Sequence, residues 1–186
     1  MSYWSFIKGW LSRTSGLKSP TLPTIPATVL TQANADDWEY LFVFIDAYTS
    51  QAEPDMLVNQ LFSFPDDACT LILYSELHGQ VTNGGFIQLI QNGYGRLIFD
   101  NPLAQDLERW GALQLARIVQ EAGVIYHTHK SLLERKRTLA EFSALYKEFQ
   151  YFDPLETRFY EVMDEQTALI RTYVEQHNAQ FAHVVQ

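Results

Sequence analysis

The sequence predicts an all-α fold: a single compact multi-helix domain, with a short N-terminal helix and a proline-rich linker before it. Apolar residues recur at helical spacing along most of the chain, and no segment alternates apolar and polar residues long enough to require a strand. The 186 residues suit one domain, and 47% of them are hydrophobic, which is enough to build its core without a disulfide framework.

The N-terminal segment has a pattern of its own. Residues 3–11 place Trp4, Ile7 and Leu11 on one helical face, with Lys8 opposite. This pattern predicts a short aromatic helix that docks on the core. Two alternatives are an anchor at a membrane surface, because tryptophan beside a basic residue suits a headgroup boundary, and a contact with a partner.

A linker follows this helix. Residues 13–30 contain three prolines among serines and threonines, and proline removes backbone donors and fixes φ. We therefore assign residues 1–30 to the aromatic helix and the linker, and residues 31–186 to the helical domain.

The first half of the domain shows three predicted helices. The first has apolar residues at helical spacing, namely Trp38, Leu41, Phe42, Ile45 and Tyr48. A second is predicted to begin near Pro54. A third follows a capping box at residues 63–66 and should stop before Asn83.

Start signals also mark the second half of the domain. Asn101 and Pro102 open one predicted helix, and Thr138 with Glu141 forms a capping box for another. At residues 153–156, Asp153 is the expected cap and a proline takes the first helical position.

The net charge of −9 is unevenly distributed. Residues 1–18 hold three basic residues and no acid, residues 19–95 hold nine acids and no base, and residues 96–186 hold thirteen acids and ten bases. This balance disfavours direct binding of nucleic acid, which needs a basic surface. It favours a basic protein partner, or serves solubility alone.

The acidic segment supplies a candidate interaction surface. Acids at the start of a helix also complement its dipole, so each could have a purely structural role. The candidate residues are Asp36, Asp37, Glu39, Asp46, Glu53, Asp55, Asp66 and Asp67.

The sequence gives little support for a metal site, a reactive cysteine or a phosphate-binding loop. His127 and His129 would lie on different faces of a helix, so they could not share a metal ion there. Cys69 lies in an apolar stretch without a basic neighbour, which predicts a buried, inert thiol. The glycine-rich strings lack the pattern of a phosphate-binding loop. We therefore expect no enzymatic activity, no cofactor and no metal.

We expect a cytoplasmic protein without a membrane partner. The N-terminus lacks the basic region, continuous apolar core and cleavage site of a secretory signal. No apolar run approaches the length of a membrane span. The single cysteine agrees with a reducing compartment.

One short motif remains in the middle of the chain. Its two glycines allow positive φ and close backbone approach, which on physical grounds predicts a structural corner between helices. Its apolar positions should face the core, and its amides could hold neighbouring backbone groups. The motif residues are Asn83, Gly84, Gly85, Phe86, Gln88 and Asn92.

This motif resembles a bacterial family of helical proteins, known mainly as a domain of unknown function. The best-known kind of member is an acidic DNA-mimic protein, which binds a transcription factor in place of DNA. Two further strings agree with the resemblance, Glu76-x-x-Gly79-Gln80-Val81 and Leu107-x-x-x-Gly111-Ala112. It covers about residues 35–175.

The resemblance implies an all-α fold, no known catalytic activity and no cofactor, and it is compatible with a homodimer. One 34 Å turn of duplex DNA carries about 20 charges. A monomer at −9 matches less than half of them, and a dimer would carry −18. Mimicry of DNA therefore favours a dimer with a continuous acidic surface.

Three hypotheses follow. The first is a protein-interaction module, a DNA mimic whose acidic surface binds a basic DNA-binding protein. The second is a binding or immunity-type module that acts through an apolar or aromatic surface. The third, least favoured, is an uncharacterised enzyme that uses Asn83, Gln88 and Asn92.

Overall fold

A computed structural model of the chain describes residues 21–50, 61, 63–135 and 138–186. The predicted aromatic helix at residues 3–11 and the predicted helix start at Pro54 lie outside these residues. In the described residues the regular structure is helical apart from two short strands, which confirms the all-α prediction.

The N-terminal half of the described chain is built around one long helix. Its elements are β1 (Thr24–Pro26), α1 (Ala27–Ala33), α2 (Asp37–Thr49), α3 (Asp66–Gln91) and α4 (Gly95–Phe99).

The C-terminal half contributes two further long helices and several short elements. They are α5 (Leu103–Arg109), α6 (Leu113–Leu133), α7 (Leu139–Glu148), a 3-10 turn (Gln150–Phe152), α8 (Asp153–Gln176), α9 (Asn178–Phe181) and β2 (His183–Val185).

Helix α3 forms the centre of the core. It is apolar around most of its circumference, and such a helix must be covered on all sides. Helices α2, α5, α6 and α8 surround it. Tyr74 is buried to 1% exposure, stacks on Trp38 of α2 and shares a 2.6 Å hydrogen bond with Thr167 of α8. The three helices α2, α3 and α8 are therefore held in a fixed arrangement.

The two strands were not predicted, because three residues are too few to show alternation. They pair in parallel, with Thr24 opposite His183. Ile25 of β1 is 3% exposed, and Leu30 of α1 is also part of the core. The helical domain was predicted to begin at residue 31. Residues of β1 and α1 that precede this position already pack on the core.

Several helix ends differ from the prediction. The capping box of Thr138 and Glu141 is confirmed. Helix α3, however, begins with Pro65 at its N-cap, so the box predicted at residues 63–66 is wrong. Helix α8 begins at Asp153 itself, one residue earlier than predicted, and no side chain caps it.

Helix α3 is interrupted close to its predicted end before Asn83. Gly84 and Gly85 both leave helical geometry there and a second helical arm follows, so the predicted corner between helices is present. Gly85 has φ +74°, a conformation that glycine adopts without strain. Beyond the bend, Phe86 and Leu89 are fully buried, so core packing holds the second arm in place.

Replacement of Gly85 by alanine should lower the free energy of unfolding by about 2 kcal/mol or more. A left-handed conformation costs a residue with a Cβ about 1–2 kcal/mol, and a Cβ at Gly85 would overlap the Glu156 carboxylate. Urea denaturation followed by circular dichroism measures the change.

Gly79 provides the matched control in the same helix. A Cβ at Gly79 meets nothing within 4 Å. Gly79→Ala should therefore raise stability by about 0.5–1 kcal/mol through helix propensity. Equal effects of the two substitutions would contradict the special role of Gly85.

Candidate functional site

A row of exposed carboxylates runs along helix α2. Asp36, Glu39 and Asp46 are all exposed, and their spacings of three and seven residues place them on one face of the helix. The Asp36 side chain also caps the helix, because it accepts a 2.9 Å hydrogen bond from the Glu39 backbone N–H. Glu39 and Asp46 make no ion pair with any residue that the structure describes.

An exposed aromatic ring lies within this row. Phe42 is 45% exposed, and it falls between Glu39 and Asp46 in the sequence and on the same side of the helix. Its ring centroid lies 5.6 Å from that of Trp38, which anchors the ring on the core side. The face is therefore acidic with one apolar contact point.

Helix α8 adds acids that the sequence analysis did not select. The pKa of the Tyr74 hydroxyl is raised by burial, and the charges of Asp164 and Asp37 raise it further. Asp164 of α8 and Asp37 of α2 therefore lie near the same hydroxyl. Glu161 and Glu165 are exposed next to Asp164 on α8.

We call this region the α2–α8 acidic surface. Its members all lie on α2 or α8 and keep at least part of their carboxylate accessible. They are Asp36, Asp37, Glu39, Asp46, Glu161, Asp164 and Glu165.

One arginine moderates the charge of this surface. Arg171 lies with its Nε 3.8 Å from Asp37 Oδ1 and its Nη1 2.6 Å from Glu175 Oε2. Its guanidinium also stacks over the Tyr40 ring, 4.6 Å from the centroid. These contacts leave the arginine side chain only 18% exposed, so it neutralises Asp37 in part and leaves the outward-facing acids uncompensated.

The other predicted acids occupy a different place. Asp66 and Asp67 begin α3, near the far end of α2, where the ring of Tyr48 contacts that of Phe64. Arg109 forms ion pairs with Asp67 and Asp106, so Asp67 is internally neutralised. Asp66 is exposed.

A shallow depression of about 460 Å³ opens at this position. Asp66, Asp67, Asp106, Arg109 and Gln180 line it, together with a proline. Burial and the charges of the two neighbouring aspartates raise the pKa of the Asp66 carboxyl, while Arg109 lowers it.

Two of the predicted surface acids, Glu53 and Asp55, lie outside the described residues. Of the rest, the structure places Asp36, Glu39 and Asp46 along one face of α2, and Asp37 at the start of that helix on the side of Arg171 of α8. It places Asp66 and Asp67 apart from them, at the start of α3.

The motif around the bend of α3 makes internal contacts. The Phe86 backbone N–H donates a 2.8 Å hydrogen bond to the Glu156 carboxylate of α8. The Tyr146 hydroxyl donates to the Gly84 carbonyl at 2.7 Å, and the Tyr160 hydroxyl donates to the carbonyl one turn earlier at 3.0 Å. Side chains from α7 and α8 thus satisfy the backbone groups that the bend exposes.

The motif amides join the two arms of the bent helix. The Asn92 side-chain amide donates to Gln80 Oε1 at 2.8 Å, and Gln88 lies 3.5 Å from the same oxygen. Asn83 is exposed. The depression described above is not at the motif, so these amides do not line it. A structural role for the motif remains our interpretation of these contacts.

Two kinds of residue escaped the sequence analysis. The α8 acids were passed over because thirteen acids and ten bases in residues 96–186 nearly cancel. The spacings of three and four residues from Glu161 to Asp164 and Glu165 would have marked them as one helical face. Glu156 was noticed only as part of a helix start, and sequence carries no signal that it reaches a bend 70 residues away.

Metal binding and membrane insertion find no support among the described residues. No three histidine, cysteine, aspartate or glutamate side chains there are grouped so that they could hold a metal ion. In the same part of the chain, no helix has both the length and the apolar character that crossing a membrane requires.

Comparison with known proteins gives two matches. A family described as DMP19-like protein matches residues 63–177. The chain is also 33% identical over 153 residues to a protein named "DNA mimic protein DMP19" from Neisseria meningitidis serogroup B (strain ATCC BAA-335 / MC58). The alignment covers 78% of this chain and 88% of that relative.

Glu156 should make stability depend on pH. Burial raises the pKa of its carboxyl, the bond from Phe86 lowers it, and Asp153 raises it. Because the pKa of Glu156 in the folded protein lies above the ordinary value of 4.5, its contribution to the free energy of unfolding is greatest below pH 4.5. Stability should then fall as the pH rises through the folded-state pKa.

Two substitutions test this role by urea denaturation between about pH 4 and 8. Glu156→Gln keeps an oxygen acceptor for Phe86 and buries no charge, so it should flatten this pH dependence without loss of stability at neutral pH. Glu156→Ala should cost about 1–3 kcal/mol, because it leaves a buried N–H unpaired. An unchanged pH profile in Glu156→Gln would refute the assignment.

Proposed function

The chain belongs to the DMP19-like protein family, and on that premise we propose that it is a non-enzymatic protein-interaction module that acts as a DNA mimic. Its acidic surface binds a basic DNA-binding protein in the place of DNA. The partner is a protein. The chain itself makes no direct contact with nucleic acid and has no membrane partner, and it acts in the cytoplasm.

The α2–α8 acidic surface is the observation that carries this proposal. Asp36 to Asp46 spans about 15 Å of helix axis at 1.5 Å per residue. Duplex DNA of that length carries about nine charges. That span of α2 presents four carboxylates beside one mostly buried arginine, which is under half of the DNA charge, and the three acids of α8 bring the surface to seven.

The fold also supports rigid presentation of these charges. Helices α2 and α8 both pack on α3, and the Tyr74–Thr167 hydrogen bond and the Trp38–Tyr74 stack connect all three. A surface that is ordered before binding loses less entropy when the partner docks. A homodimer would extend the surface towards the charge of a full DNA turn.

A second candidate function acts through apolar contact, and Phe42 favours it. Its ring is 45% exposed within the acidic row. In the mimicry proposal the ring makes a minor contribution to a contact that charge dominates, so Phe42→Ser should weaken the complex only modestly. In the alternative the ring makes the main contribution, so salt should barely affect the affinity of the complex.

The first test is a pull-down from native lysate with the full chain as bait and elution by a salt gradient. We expect a basic, DNA-binding protein that elutes at moderate salt and that added duplex DNA displaces. A partner that stays bound at about 0.5 M NaCl and ignores DNA would contradict the proposal.

Charge-neutralising variants then locate the surface. The triple variant Asp36→Asn, Glu39→Gln, Asp46→Asn should weaken binding of the captured partner by about threefold to 150-fold, at about 0.2–1 kcal/mol for each lost exposed contact. Asparagine at residue 36 still caps α2. Isothermal titration calorimetry at fixed salt measures the change.

A matched triple variant removes the same charge elsewhere. Glu108, Glu148 and Asp153 are exposed and lie on α5, α7 and the start of α8. Their neutralisation to glutamine or asparagine should leave affinity within about twofold, because screening limits the reach of exposed charges. Equal loss in both triple variants would assign the effect to net charge and reject the α2–α8 surface.

A further inference from the structure

The second strand of the small sheet has an open edge. The sheet contains β1 and β2 alone among the described residues, and all three residues of β2 are exposed. His183 donates its N–H to the Pro23 carbonyl at 2.8 Å, so its peptide groups face β1. Alternation along a strand then turns the N–H and C=O of Val184 away from β1.

The two strands differ in how their edges are protected. β1 is flanked by Pro23 and ends at Pro26, and proline cannot donate to a ladder. β2 consists of a histidine and two valines, without the lysine, proline or bulge that usually blunts an edge strand. Val184 and Val185 are 37% and 44% exposed. Such an edge accepts another extended chain.

An acidic depression adjoins this edge along the chain. Gln180 of α9 lines the depression that contains Asp66, Asp67 and Asp106. Gln180 and Val184 are four positions apart in the sequence, which limits the distance between their Cα atoms to about 14 Å. An extended segment of four to five residues, at about 3.3 Å each, covers that distance. Three carboxylates face one arginine there, so the depression is electrostatically suited to a cation.

We infer that the outer edge of β2 is a docking site for an extended basic segment of a protein partner. The segment adds to β2 as a third strand and places a lysine or arginine side chain in the depression beside Asp66. The inference rests on the proposed function for the basic character of the partner. It adds to the α2–α8 acidic surface a second contact, which binds an extended segment of the partner.

The test uses the full chain and two short fluorescent peptides in anisotropy titrations. One peptide alternates arginine and threonine, and the other has the same sequence with every backbone nitrogen methylated, so both carry the same charge. The unmethylated arginine–threonine peptide should bind at least about tenfold more tightly, because a methylated nitrogen cannot donate a hydrogen bond to the strand edge. Equal binding of the two peptides would overturn the inference.

Variants of the chain locate the contact. Val184→Pro removes the outward N–H and should weaken the arginine–threonine peptide about tenfold, whereas Val184→Ala keeps that N–H and should bind nearly as well. Asp66→Asn should weaken binding several-fold, and Glu148→Gln, the same charge change on α7, should not. Circular dichroism verifies that each variant is folded. Retained binding in Val184→Pro would overturn the inference.

The same variants separate this inference from the proposed function. A partner that is captured and displaced by DNA, and that binds Val184→Pro as it binds the parent chain, would leave the mimicry proposal standing and reject the strand edge. A change of oligomeric state in Val184→Pro without a change in peptide binding would assign the edge to a second copy of the chain. That result would also reject the inference.

Discussion

The bend of helix α3 at Gly85 is the constraint on which the rest of the structure depends. Because of the bend, both arms of the helix pack into the core, and each arm is buried on several sides. The bend exposes a backbone N–H at Phe86, and the Glu156 carboxylate accepts its hydrogen bond at 2.8 Å. This contact holds the start of α8 against the centre of the molecule. Together with the hydrogen bond between Tyr74 and Thr167, it sets the direction of α8 and hence the position of its acids.

The α2–α8 acidic surface is a consequence of that packing. Once α8 is anchored at Glu156, its middle passes beside the start of α2, where Tyr74 links both helices to α3. The charges of Asp164 and Asp37 both act on the Tyr74 hydroxyl, although 127 positions separate the two residues in the sequence. A surface on which carboxylates outnumber cations is suited to a cationic partner.

Sequence patterns predicted the helices better than their junctions. The spacing of Trp38, Leu41 and Tyr48 depends only on local geometry, so it identified α2 correctly. The glycines at residues 84 and 85 marked the corner between the two arms of α3, but the sequence did not show the direction in which the second arm leaves it. The three-residue strands were missed because pairing between Thr24 and His183 has no local signature. For the site, local charge found the α2 acids, but only the tertiary fold joins them to Asp164.

The most direct test of the central claim is carboxyl footprinting of the complex. Carbodiimide labels accessible carboxylates, and mass spectrometry reads the labelling at each residue with and without the captured partner. We expect protection at Asp36, Glu39, Asp46 and Asp164, and its loss when duplex DNA displaces the partner. Unchanged labelling at these four residues in the saturated complex would contradict DNA mimicry by the α2–α8 acidic surface.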